Sequence, residues 1–109
     1  FPGANVLIVG ASGKLGAMCM FAARDRIGPG GRLVALVNTE KGFSAVERLG
    51  IANKVVVADA TNATAALNTL RSAVGSWSPD LTADCVNVPG TEMLSVASLH
   101  RTRACSGKR

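Results

Sequence analysis

The residues with the clearest chemical meaning follow directly on an apolar run. After Asn5 to Val9 the chain reads Gly10-Ala11-Ser12-Gly13-Lys14-Leu15-Gly16, a GxxGxxG spacing where a strand ends and a helix begins. Gly10 suits a tight turn, Gly13 removes the Cβ that would keep the backbone from a pyrophosphate, and Gly16 lets the helix lie close on a sheet. The amides of the first helical turn, around Ser12, Lys14 and Leu15, then face a negatively charged ligand. A Walker loop is excluded because Gly13-Lys14 is followed by Leu15, not Ser or Thr.

Three further clusters fall where strands should end. Asn38 stands where an NAD enzyme places a carboxylate for the ribose diol, and Thr39, Glu40 and Lys41 follow it. That group either receives a 2′-phosphate, which admits NADP, or offers Glu40 to the ribose of NAD if the strand ends later, or is a polar turn and helix start. Asp59-Ala60-Thr61 sits at the sheet's carboxyl edge, where an acceptor can reach an adenine amino group, with a turn or helix-entry role for Asp59 as the alternative. Asn87-Val88-Pro89 closes the last strand pattern beside the switch point of such a sheet, where Asn87 reaches ribose hydroxyls or ties its own loop. Lys14 and Arg24 have no neighbour marking either as an acid or base, so no catalytic residue is assigned. Cys19, Cys85 and Cys105 lack CxxC spacing and have only His100 to complete a zinc set, so no metal site is expected.

The elements that must position these groups are legible in the periodicity. Short apolar runs at Asn5 to Val9, Arg32 to Val37, Lys54 to Ala58 and Ala83 to Val88 read as strands covered on both faces. Between them lie helical patterns. The first presents Leu15, Met18, Cys19 and Ala22 as one stripe and stops near Gly28. The second opens on Ser44 and Glu47 at capping-box spacing, carries Phe43, Val46 and Leu49, and ends at Gly50. The third, capped by Thr61 or Asn62, turns Ala63, Leu67, Leu70 and Val74 inward and ends at Gly75. A fourth helix is expected from Thr91 to about Leu99. Strands joined by crossovers of this length are parallel, and right-handed connections give the order 3-2-1-4 in a three-layer α/β, Rossmann-type sheet.

Composition bounds what such a sheet can do. With 109 residues there is room for one domain and one core. Apolar residues at 48% and charged residues at 17% exclude a disordered chain. No apolar run approaches the ~20 residues of a membrane span, and no leader pattern precedes the first strand. The net charge of +5 suggests a nucleic-acid partner, but four of the twelve bases, Arg101, Arg103, Lys108 and Arg109, lie in the last nine positions. A near-neutral body without an aromatic platform is not expected to bind nucleic acid or membrane. Cys19 and Cys85 read as small buried residues of a reducing, cytoplasmic compartment.

VLIVGASGKLGAMCMFAARDRIGPGGRLVAL, VVVADAT and above all DCVNVPGTEM resemble the cofactor domain of the L-erythro-3,5-diaminohexanoate dehydrogenases, which are similar to the medium-chain dehydrogenase/reductase superfamily. The resemblance covers roughly residues 5 to 98. It implies a dinucleotide cofactor, NAD or NADP, and reversible oxidative deamination of a diamino acid. It also implies a catalytic domain and a fifth strand that this sequence does not carry. The expectation is therefore a Rossmann domain over residues 1–99, truncated before the fifth strand, a basic disordered tail over 100–109, and no activity alone. Alternatives are a truncated atypical short-chain reductase, in which a YxxxK is impossible without tyrosine, and a non-enzymatic NAD(P)-binding or assembly module. The fourth strand would be an apolar edge, and a homo-oligomer covering it is expected.

Overall fold

The computed structural model describes residues 2–75 and 79–85. Its element order is β1 (Asn5–Val9), α1 (Lys14–Ile27), β2 (Arg32–Val37), α2 (Glu40–Leu49), β3 (Lys54–Val57), α3 (Ala63–Val74) and β4 (Leu81–Asp84). All pairings are parallel and the sheet order is β3-β2-β1-β4. Helices cover both faces, which is why β1 and β2 are apolar and buried almost throughout. This is the parallel sheet of a Rossmann NAD(P)-binding fold, as expected from the crossovers.

Alternation along the strands divides the core in two. Val6, Ile8, Leu33, Ala35, Val37 and Val55 point to the α1 and α2 side, where Met20, Ile27 and Val46 meet them. Leu7, Val9, Val34, Leu36 and Val56 point to the other side, against Ala66 and Leu70 of α3. A one-residue slip of either central strand would exchange these two sets.

Four details differ from the sequence expectation. β3 stops at Val57, one residue early. β4 begins at Leu81, two residues early, because Val6 to Val9 pair with Leu81 to Asp84 and the Asp80 and Asn5 backbones bond just before them. α2 begins at Glu40, capped by the Thr39 hydroxyl, which accepts from the Gly42 amide at 2.9 Å, so Ser44 and Glu47 are interior residues and form no capping box. The α1 stripe is the largest correction. Gly16, Met20 and Ile27 are buried, with Cys19 and Ala23 partly so, while Leu15 and Met18 are 58% and 64% exposed. The cause is Gly16: a Cβ there would overlap the Gly10 carbonyl oxygen and lie 2.7 Å from Ala11 Cα. That approach fixes the rotation of α1 and turns the larger apolar residues outward.

In α3, Asn62 is the cap, accepting from the Ala65 amide at 3.2 Å, and Ala66 joins Leu70 as its buried pair. The expected helix over 91–99, the tail 100–109 and the strand residues beyond Cys85 lie outside the described residues. Among the described residues no helix is long and apolar enough to cross a membrane.

Candidate functional site

Parallel strands deliver all their following loops to one rim, and here those loops enclose a cavity of about 350 Å³. Gly10, Ser12 and Gly13 supply one wall, Asn38 follows β2, Ala58 to Thr61 follow β3, and Cys85 follows β4. Of the expected site residues, the structure brings together Gly10, Ser12, Gly13, Asn38, Asp59 and Ala60. Lys14 and Leu15 open α1 beside them without lining the cavity. Asn87, Val88 and Pro89 lie outside the described residues.

The three glycines have three different physical situations. Gly10 has φ +79°, a conformation that an L side chain rarely adopts, and its amide and that of Ala11 both donate to the Leu36 carbonyl, at 2.9 and 3.3 Å. Gly16 is held against the turn as described. Gly13 has an ordinary φ of −79°, and a Cβ on it would meet nothing closer than the Gly10 oxygen at 3.8 Å. The fold itself does not require glycine at position 13.

Helix α1 also differs from its neighbours at its start. Thr39 caps α2 and Asn62 caps α3, but Gly13 offers α1 no side chain. The amides of Lys14, Leu15 and Gly16 have no partner among the described residues, and no acidic residue stands in the first turn. The positive end of the helix is thus left open next to the cavity.

Two ionisable groups line the wall. The Asp59 Oδ1 accepts from the Thr61 hydroxyl at 2.6 Å and the Thr61 amide at 3.0 Å. Those bonds, the hydroxyl first, hold its carboxyl below the usual range. Asp59 therefore makes the turn that its alternative reading described, while Oδ2 has no partner among the described residues. Cys85, read from the sequence only as a buried apolar residue, lines the cavity and contacts Cys19 of α1. Desolvation first, then the hydrogen bond with Cys19 and the charge of Asp84, push its thiol up to about 12. Its place two residues before Asn87, at a strand's carboxyl end, was the available signal. Thr61, placed by the sequence at the same sheet edge but given no site role, lines the wall as well, and its spacing of two from Asp59 marks the turn.

Arg24, noted in the sequence only as a charge, proves structural and lies at the opposite rim. Its guanidinium donates to the carbonyls of Gly28 and Gly31, both at 2.9 Å, to the Ile51 carbonyl at 2.9 and 3.2 Å, and to Asn53 Oδ1 at 2.6 Å.

Comparison with known proteins adds a relationship to this geometry. No protein-family model matches the chain. It is 42% identical over 95 residues to an L-erythro-3,5-diaminohexanoate dehydrogenase of Acetoanaerobium sticklandii, and 35% identical over 95 residues to one of Fusobacterium nucleatum. Each match takes in 87% of this chain and 28% of the relative, so the chain spans little more than a quarter of their length. Among solved structures, that of AibC superposes with a TM-score of 0.65 at 24% identity, over 90% of this chain and 27% of that one, a likeness of fold. In sequence the chain resembles a stretch amounting to 28% of the L-erythro-3,5-diaminohexanoate dehydrogenases, and its own sheet order is that of a Rossmann NAD(P)-binding fold.

Proposed function

We propose that the chain holds the dinucleotide, NAD or NADP, of a dehydrogenase that oxidises a carbon bearing an amino group, with a 3,5-diamino acid as substrate. The observation that carries this reading is Gly13: neither its backbone angle nor its packing calls for glycine, yet it lies between the cavity and an uncapped helix start. A pyrophosphate against the open amides of Lys14 and Leu15 gives the missing Cβ a purpose. The residues present fit such a cofactor. Gly10, Ser12 and Gly13 would flank the phosphates, Asn38 the adenosine ribose, and Asp59 with Ala60 the adenine, Oδ2 being the acceptor left over from the Thr61 bonds.

When bound, the nicotinamide would accept the substrate's hydride. The chain's own residues contribute binding and orientation of the cofactor. Asn38 places a neutral amide where a carboxylate would repel a 2′-phosphate, which supports admitting both cofactors. Asn87, Val88 and Pro89 complete the proposal on the nicotinamide side. The adjacent free thiols Cys19 and Cys85 support a cytoplasmic setting. Self-association along β4 belongs to the same reading; it is the last strand of the sheet among the described residues, and Leu81 on it is 48% exposed.

Calorimetric titration with NAD⁺ and NADP⁺ tests the proposal, run on the chain and on Gly13→Val. Binding to the former and its loss in a folded variant are expected. Equal binding by both proteins would remove the Gly13 argument, and no binding by the folded chain would overturn the reading.

A further inference from the structure

Helix α1 carries a second stripe that its own sheet does not use. Gly16, Met20 and Ile27 face the core, and on the opposite side stand Lys14, Met18, Phe21 and Asp25, at spacings of four, three and four. At 3.6 residues per turn these four fall within about 60° of one another around the axis. Leu15 and Ala22 flank them. Leu15, Met18 and Phe21 are 58%, 64% and 57% exposed, three of the five large apolar side chains left exposed among the described residues. Alternating spacings of four and three are the seam of a helix that packs along another helix.

The ends of the seam say which helix. Lys14 is a cation at one end and Asp25 an anion at the other, and neither has a partner among the described residues. They are about 16 Å apart along the axis. Laid antiparallel, a second α1 places its Asp25 opposite Lys14 and its Lys14 opposite Asp25, and the same register sets Met18 against Phe21 of the second copy, twice. One patch thus complements itself under a two-fold axis. Ala22, small, lets the helices approach, and the methionine sulfur meets an aromatic ring.

We propose that the outer face of α1 is a self-association surface, on which a second copy of this chain packs its own α1 antiparallel. The contact is separate from β4 and from the residues that line the cavity, adjoins the cavity only at Lys14 and Leu15, and uses the Lys14 side chain, not the amides proposed to face a dinucleotide.

Sedimentation equilibrium of the full chain tests this, alongside Phe21→Glu, Asp25→Lys and the exchanged pair Lys14→Asp with Asp25→Lys, each checked for folding by circular dichroism. The chain should sediment at twice its 11.1 kDa at high micromolar concentration. Phe21→Glu should weaken the dimer at least about thirtyfold, as for a buried aromatic anchor. Asp25→Lys, facing Lys14 of the second copy, should weaken it severalfold at low salt, and the exchanged pair should restore it. A monomeric chain would overturn the proposal. So would association that survives Phe21→Glu, which would assign it to β4 or another surface, or failure of the exchanged pair to recover what Asp25→Lys loses.

Discussion

Gly16 of α1 rests directly on the backbone of Gly10 and Ala11, so that no side chain fits between helix and turn. This one contact settles which side of α1 becomes core. Gly16→Ala should therefore force the helix outward and lower stability by about 2 kcal/mol or more, the usual cost of overpacking. Gly13→Ser, three residues earlier, has room for its Cβ and adds a cap, and should leave stability unchanged or raise it by a few tenths of a kcal/mol. Urea midpoints of the two variants measure the contrast.

Arg24 should behave as a structural residue. Arg24→Met keeps much of the stem but leaves the Gly28, Gly31 and Ile51 carbonyls and Asn53 without their shared donor. A loss of about 3 kcal/mol is expected in denaturant unfolding. Arg24→Lys should recover little of it, since an ammonium cannot span these acceptors.

Cys85 should be slow to alkylate. With its thiol raised from 9.0 to about 12, the share present as thiolate at pH 8 falls from roughly a tenth to about 10⁻⁴. Iodoacetamide labelling followed by peptide mass spectrometry should find Cys85 modified hundreds of times more slowly than after unfolding. The same shift makes stability pH-dependent. The unfolded chain loses this proton near the ordinary value while the folded chain keeps it, so stability falls as pH rises from about 9 towards 12.

Asp59 gives the opposite sign at the acid end. Its carboxyl titrates below the usual range because Thr61 donates to the charged form, so its contribution is complete above the unfolded value and is lost as pH falls through the folded one. Thr61→Val removes the hydroxyl donor, and an NMR titration of Asp59 should move back up towards 3.8.

Strand and helix order could be read from the sequence because both-faced burial writes continuous apolar runs, and glycine marks the ends of α1, α2 and α3. The bounds of β1 and β2 were legible to the residue. The face of α1 was not. Its sequence holds two apolar stripes, and periodicity selected Leu15, Met18, Cys19 and Ala22 by their spacing, whereas a backbone contact at a residue with no side chain decided the rotation. The start of β4 escaped for a similar reason: it follows from pairing with Val6 to Val9, a long-range relation absent from the local pattern of Leu81 to Val88. The cavity wall was legible where a glycine or polar residue, such as Gly10, Asn38 or Asp59, closely follows an apolar strand. Cys85 was hidden by its ordinary apolar look, and the Arg24 network by the distance in sequence between its acceptors.

That network has a bearing on how such a chain can change over time. Arg24 gathers the segments entering β2 and β3 at the rim away from the cavity, while the loops that line the cavity are joined to the sheet mainly through their strand ends. Substitutions in those loops leave the Arg24 anchor untouched. Lineages are thus free to vary one rim for new ligands while the other preserves the architecture, and Arg24 is where a drifting sequence would have least latitude.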